Sequence, residues 1–330
     1  PSFHDSETAA TRLQLPTPLG EDSDSFIGLS NPMCESSSQW RLRENARIGP
    51  FLLHRLIGQG AQGDVWKATR CGAPYNLIAL KILKPALSKD PKRLAQFRHE
   101  AERGAKLTGP SLLRVIEFGE ADGHTYLAMP LVEGTSLMNI IRERREFLAG
   151  ERPEHDHPMI AADTETYPTM AARVVAIAAR AIEGVHARRI VHRDMKPANI
   201  LIDARRANKV YLCDLGLGRD LEIATIEQMR DGAGTPLYMA PERLLRSQVD
   251  EIRCDVYALG VTLFESLALE RPFQIPNGMA AILVPHYLTT VHPRRLRQVM
   301  PNAPRALDAI IAKAMAHDPA TSFKFVIGFA

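Results

Sequence analysis

Apolar and polar positions change their rhythm along this chain. Three short runs, Phe51 to Ile57, Asp64 to Thr69 and Leu77 to Leu83, are separated by glycine-bearing turns, a pattern that predicts an antiparallel meander. Between Arg93 and Leu107 the apolar residues Leu94, Phe97, Ala101 and Ala105 recur on one face, and this spacing predicts a helix. Two more β-type pieces follow, around Leu112 to Phe118 and Thr125 to Met129. From Ser136 onward the period is helical, and in Thr169 to Ala187 the Ala, Val and Ile surface is too broad for a lone exposed helix, so this helix belongs in a core. The expected order is therefore five strands with one helix after the third, then a mainly helical region, an α+β class.

Two stretches lack periodicity. Residues 1–45 are rich in Ser, Thr, Asp, Glu and Pro, with Phe26, Ile27 and Trp40 as isolated apolar points, and are expected to form a disordered tail. Residues 145–168 carry Pro153, Pro158, Pro168 and many charges, and read as an insertion loop, long enough to be either functional or disordered. No internal repeat is visible.

Composition narrows the function classes. The 330 residues are 45% hydrophobic and 24% charged, ordinary for a globular protein able to bury a core. A net charge of +3 from 41 basic and 38 acidic residues offers no basic face for nucleic acid or a membrane surface. The four cysteines, Cys34, Cys71, Cys213 and Cys254, lie far apart without a Cys-x-x-Cys pair, which argues against a zinc site or disulfide framework and for a reducing, cytoplasmic setting. No apolar run is long enough to span a bilayer. The chain opens on Pro1 and stops in the apolar run Phe323 to Ala330, so it is expected to be a fragment with a truncated C-terminal end, leaving room for an anchor or sensor beyond it.

Candidate chemistry concentrates at residues 191–200, Val-His-Arg-Asp-Met-Lys-Pro-Ala-Asn-Ile, followed by Cys213-Asp214-Leu215-Gly216. These segments supply carboxylates, an ammonium and an amide, the groups phosphoryl transfer uses to orient a hydroxyl, neutralise a moving phosphoryl group and hold Mg²⁺. Upstream, Ile57-Gly58-Gln59-Gly60-Ala61-Gln62-Gly63-Asp64-Val65 has G-x-G-x-x-G spacing, where missing Cβ atoms let backbone N–H groups approach phosphate oxygens. A dinucleotide-binding fold would run from such glycines into a helix, whereas Val65-Trp66-Lys67-Ala68 reads as a second strand of a hairpin. Lys81, in Ile78-Ala79-Leu80-Lys81-Ile82-Leu83, reads alone as a snorkelling lysine at a strand.

Taken in order, these motifs resemble the eukaryotic-type (Hanks-type) serine/threonine protein kinase family, from Ile48 to Phe323, with wording closest to its bacterial members. The resemblance implies a bilobal protein-kinase-like fold: an N-lobe at 46–129 with a five-stranded antiparallel sheet and one helix, a hinge at 130–134, and a mainly helical C-lobe at 135–330 containing the 145–168 insertion. It implies ATP and Mg²⁺, protein substrates with Ser or Thr acceptors, no nucleic acid, and room for dimerisation during autophosphorylation. By the same resemblance Asp194 would orient the acceptor hydroxyl and take its proton, Lys196 would hold the γ-phosphate, and Asn199 and Asp214 would ligate Mg²⁺. Lys81 would pair with Glu100; Glu102 points about 200° away round the helix. Gly58, Gln59, Gly60, Ala61, Gln62 and Gly63 would cover the phosphates. Ile57, Val65, Ala79 and Leu201 would sandwich the adenine, with Met129 gating the pocket and Pro130 and Val132 offering backbone contacts. Proline at 130 keeps the carbonyl that such a contact needs.

Gly234-Thr-Pro-Leu-Tyr-Met-Ala-Pro-Glu242 resembles the end of an activation segment, with Thr235 reaching the catalytic aspartate and lysine. Arg193 would dock a phosphate on that segment, and Thr225, the sole hydroxyl between Gly216 and Gly234, is the expected autophosphorylation site. Asp255 would cap the catalytic-loop backbone. Two departures stand out: Leu215 replaces the usual Phe, and Ser322 replaces an arginine that pairs with Glu242, which puts C-lobe stability in question. The alternatives to an active kinase are a pseudokinase serving as an ATP-binding or scaffold module, and a small-molecule phosphotransferase of related fold.

Overall fold

The computed structural model describes residues 42–60, 63–204, 206, 209–214, 235–245, 249–324 and 326–328. Its N-terminal part is a six-stranded antiparallel sheet: β1 (Arg47–Ile48), β2 (Phe51–Gln59), β3 (Gly63–Arg70), β4 (Ala73–Leu83), β5 (Glu117–Ala121) and β6 (His124–Pro130), in spatial order β1-β2-β3-β4-β6-β5. Alternation of side chains gives this sheet two apolar faces. On one, Phe51, Leu53, Trp66, Leu80, Ile82 and Tyr126 pack together. On the other, Val65, Ala79 and Leu127 meet Phe97 and Ala101 of helix α2 (Pro91–Lys106), which follows a single turn, α1 (Pro85–Ser88). The Phe97 and Phe118 rings lie 5.8 Å apart, pinning α2 to β5. Register shifts in β2, at Leu53/Arg55 and Leu56/Gly58, bend that strand as it approaches the glycine turn.

The C-terminal part is helical, with a small sheet of β7 (Gly134–Ser136), β8 (Ile200–Asp203) and β9 (Val210–Leu212) on its upper edge. Gly134 is required there, because a Cβ would lie 1.9 Å from the Ile202 carbonyl oxygen. Helix α3 (Leu137–Leu148) starts where Ser136 Oγ accepts from Asn139 N, a cap of about 1 kcal/mol. Helices α4 (Thr166–His186) and α6 (Glu251–Ala268) form the centre, preceded in the chain by a single turn, α5 (Pro241–Leu244), before α6. Every residue of α6 from Cys254 to Leu267 is buried, which explains its lack of a polar face. Helices α7 (Val284–Thr290), α8 (Leu296–Val299) and α9 (Arg305–Ala314) close the lower end around the same core.

The architecture is the expected α+β class, with two local differences in its strands. The sheet has six strands where five were expected, because Arg47–Ile48 pairs with Phe51–Leu52 over two residues, too few to leave a periodic signal. The expected strand Leu112 to Phe118 lies later, at Glu117–Ala121. The apolar Leu112 and Leu113 turn away to β9, where Leu113 N donates to the Leu212 carbonyl at 2.8 Å. Of residues 1–45 only 42–45 are described, and there Asn45 N donates to the Leu53 carbonyl; the rest of the expected tail lies outside the described residues.

The segment 145–168 is helical at both ends, in α3 and α4, and its middle is tied down by charged residues of α3. Arg144, 2% exposed, donates to the carbonyls of Met159, Ile160 and Ala162 and lies 3.9 Å over the Tyr167 ring. Glu143, wholly buried, accepts from His155 N at 2.9 Å and from its Nδ1. These bonds satisfy loop carbonyls that would otherwise have to face water, so the segment packs as an ordered connection.

Candidate active site

The segment between α4 and β8 is built as a set of interlocking hydrogen bonds. Asp255, 1% exposed, projects from α6 and accepts from His192 N and Arg193 N, each at 2.8 Å, and from His186 Nε2, also at 2.8 Å. Holding two consecutive N–H groups on one carboxylate lets Arg193 adopt a φ of 66°, a conformation that costs an L residue about 1–2 kcal/mol. The next residue, Asp194, is thereby held in one orientation at the end of this turn. Its carboxylate accepts from Lys196 Nζ at 3.1 and 2.9 Å and from Asn199 Nδ2 at 3.1 Å, while Asn199 Nδ2 also reaches the Asp194 carbonyl at 2.7 Å. A 3-10 turn, Pro197–Asn199, places Lys196 and Asn199 on the same side.

A second connection runs from this loop to Asp214. His192, fully buried, accepts from Asp194 N through Nδ1, which leaves Nε2–H to donate to the Cys213 carbonyl at 3.2 Å. Asp214 follows with a φ of 57° and accepts from Lys81 Nζ at 2.9 Å. Lys81 is 6% exposed, in the middle of β4 between Val65 of β3 and Leu127 of β6. One buried ammonium from the sheet thus meets a carboxylate beside the interlocked loop, across 133 positions of sequence. Burial pushes the Cys213 thiol well above its ordinary range, so it stays protonated and takes part as packing.

A second group of candidate residues is apolar. Ile57, Val65, Ala79, Met129, Val132 and Leu201, separated by up to 144 positions, belong to one buried cluster. Pro130 ends β6, opposite Ile78 of β4. Gly58 and Gln59 end β2, and Gly60 N donates to the Gly63 carbonyl, closing the turn. At Gly63 the structure adds a reason for glycine that the phosphate argument lacked: a Cβ would sit 2.1 Å from the Ile82 carbonyl oxygen.

Ala61, Gln62, Leu215, Gly216 and Thr225 lie outside the described residues, as do the side chains of Glu100 and Thr235; Glu100 is in α2 and Thr235 opens a 3-10 turn through Tyr238. Ser322 Oγ donates to the Ala314 carbonyl, and Glu242, buried in α5, accepts from Cys254 Sγ at 3.7 Å. Burial raises the Glu242 carboxyl above its ordinary range, easing its neutral form where Ser322 replaces the arginine that the resemblance implies as its partner. His186, Arg243 and Glu251 were not singled out from sequence. Arg243 Nη1 donates to the Arg193 carbonyl at 2.9 Å, and nothing in its local pattern marks that role.

Comparison with known proteins follows the same outline. The family model described as the protein kinase domain matches residues 51–321. Serine/threonine-protein kinase PknE of Mycobacterium bovis is 33% identical over 277 residues, covering 84% of this chain and 44% of PknE. Serine/threonine-protein kinase PknH of Mycobacterium tuberculosis is 31% identical, covering 84% of this chain and 40% of PknH. The chain therefore spans less than half the length of these curated relatives. The crystal structure of the Mycobacterium tuberculosis PknI kinase domain superposes with a TM-score of 0.63 at 26% identity, covering 88% of this chain and 97% of that one. Among the described residues no helix is long and apolar enough to cross a membrane.

Proposed function

The chain belongs to the protein kinase family, and from that premise we propose that it transfers the γ-phosphoryl group of ATP to serine or threonine hydroxyls of proteins. The observation that carries the reading is the joint placement of Asp194, Lys196 and Asn199 in one bonded set, with the Lys81–Asp214 pair connected to it through His192. The apolar cluster of Ile57, Val65, Ala79, Met129, Val132 and Leu201 offers the kind of surface that suits a flat base, and the glycine turn suits the phosphates that follow it.

In this reading an acceptor hydroxyl sits against Asp194. Its proton passes to the carboxylate as its oxygen bonds to the γ-phosphorus, and the bond from phosphorus to the bridging oxygen breaks, leaving ADP with the electron pair. The bonds from Lys196 and Asn199 hold the Asp194 carboxylate in one orientation, so the proton acceptor does not have to be found by rotation. Lys196 Nζ also brings positive charge to where the phosphoryl group moves, and Lys81 does so at the phosphates that stay behind. Asn199 directs its amide nitrogen at Asp194, so its amide oxygen together with the Asp214 carboxylate makes a hard-oxygen donor set that fits Mg²⁺. When bound there, Mg²⁺ supplies charge neutralisation for the phosphates.

Lysine two positions after the aspartate supports a Ser/Thr acceptor. The wide spacing of the four cysteines in the sequence supports a reducing, cytoplasmic setting. Roles for Glu100 and Thr235, phosphorylation of Thr225 and dimerisation during that step are part of the same proposal. The test is phosphoamino-acid analysis after incubating the protein and a generic protein acceptor with Mg²⁺ and ATP. Phosphoserine or phosphothreonine is expected; phosphotyrosine alone, or no incorporation, overturns the reading.

A further inference from the structure

One charged cluster beneath Asp194 has no part in the chemistry above. Arg193 Nε lies 3.5 Å from Glu251 Oε2, and Arg243 Nη1 lies 3.7 Å from the same oxygen. These are ion-pair separations without hydrogen-bond contact: Glu251 Oε2 is buried with no hydrogen-bond partner, and so is Arg243 Nε. The Arg243 side chain is 6% exposed, so its charge sits in a nearly dry site. Its Nη1 donates to the Arg193 carbonyl, fixing the left-handed peptide that leads into Asp194. Arg243 comes from α5 and Glu251 from the first turn of α6, where Asp250 caps the helix and the helix dipole also favours an acid.

Two guanidinium groups this close repel unless an anion lies between them. The geometry points to Glu251 as a positioning residue: its carboxylate holds Arg193 and Arg243 together, so the peptide entering Asp194 keeps its turn without a phosphate on the activation segment. The looseness of the contact gives a second consequence, that a tetrahedral anion competes with Glu251 for the same two arginines. This inference rests on the kinase reading.

The experiment compares the phosphatase-treated full chain with Glu251→Gln, which removes charge and keeps shape, and with Glu251→Asp, which keeps the charge on a shorter stem. Glu251→Gln is expected to lower kcat about tenfold with the ATP KM within about twofold, and Glu251→Asp to fall between it and wild type. Inorganic phosphate, against chloride at equal ionic strength, is expected to restore kcat and to raise Tm in Glu251→Gln more than in wild type. Unchanged kcat, or a loss that phosphate does not reverse, overturns the inference. A wild-type protein without turnover overturns the kinase reading instead, and the difference in Tm shift with phosphate then decides this inference alone.

Discussion

Replacing Asp255 by asparagine isolates what holds the catalytic loop. The carboxylate accepts three hydrogen bonds at 2.8 Å: two on Oδ2, from His186 Nε2 and His192 N, and one on Oδ1, from Arg193 N. An amide can keep one side only and must point N–H at N–H on the other, where 1% exposure leaves no room for water to mediate. Losing one bond to a charged acceptor removes about 1.5–3 kcal/mol, and the orphaned buried N–H adds about 1–3 kcal/mol. The total is about 2.5–6 kcal/mol, which at roughly 2–4 °C per kcal/mol lowers Tm by roughly 5–24 °C. Activity should fall further than stability alone explains, by about 100-fold in kcat below Tm, because Arg193 can leave its φ of 66° and carry Asp194 with it. Calorimetry and steady-state transfer rates, with His186→Gln as a control that spares both backbone donors and costs about 1 kcal/mol, make the measurement. An Asp255→Asn protein that melts within about 2 °C of wild type and transfers phosphate normally refutes this reasoning.

Gly63→Ala should destabilise the sheet by about 2 kcal/mol or more, because its Cβ meets the Ile82 backbone, and the loss should appear in thermal melts without ATP; a loss confined to ATP affinity contradicts it. Arg144→Ala should cost about 3 kcal/mol and open the chain between α3 and α4 to limited proteolysis, since three carbonyls and the Tyr167 face lose their cation; an unaltered digestion pattern contradicts it. Glu242 has a raised folded-state pKa, caused chiefly by burial, so its contribution to stability is complete below the unfolded value of 4.5 and is lost as pH rises through the folded value. Glu242→Gln should therefore flatten the decline of stability between pH 4.5 and that raised folded value and be neutral to stabilising at pH 7, as read by urea unfolding across pH.

Much of the site could be read from the chain because its chemistry is packed into short spacings. Asp194, Lys196 and Asn199 fall within six consecutive residues, so a short local turn brings them near one another. Lys81 and Asp214 were legible only as members of an ordered set of motifs, since nothing local predicts a contact across 133 positions. The order within 145–168 was not legible because its anchors, Glu143 and Arg144, are charged residues on a helix, a pattern that ordinarily marks a solvent face. Leu112 and Leu113 misplaced a strand for the opposite reason: an apolar run signals burial, yet it does not say which sheet receives it. Arg243 and Glu251 illustrate the same limit, for their partners are fixed by how α5 and α6 meet the catalytic loop.

In the proposed reading, Asp194 directs phosphoryl transfer, while the nucleotide is held by other residues. Intact-mass analysis after incubation with Mg²⁺ and ATP, for wild type beside Asp194→Asn, tests it most directly, with melting temperature measured with and without Mg²⁺ and ATP. The account requires mass steps of one phosphate each in wild type and none in the variant, with both proteins stabilised by the nucleotide. Equal phosphate incorporation by Asp194→Asn, or a wild type that binds ATP and never gains mass, contradicts it.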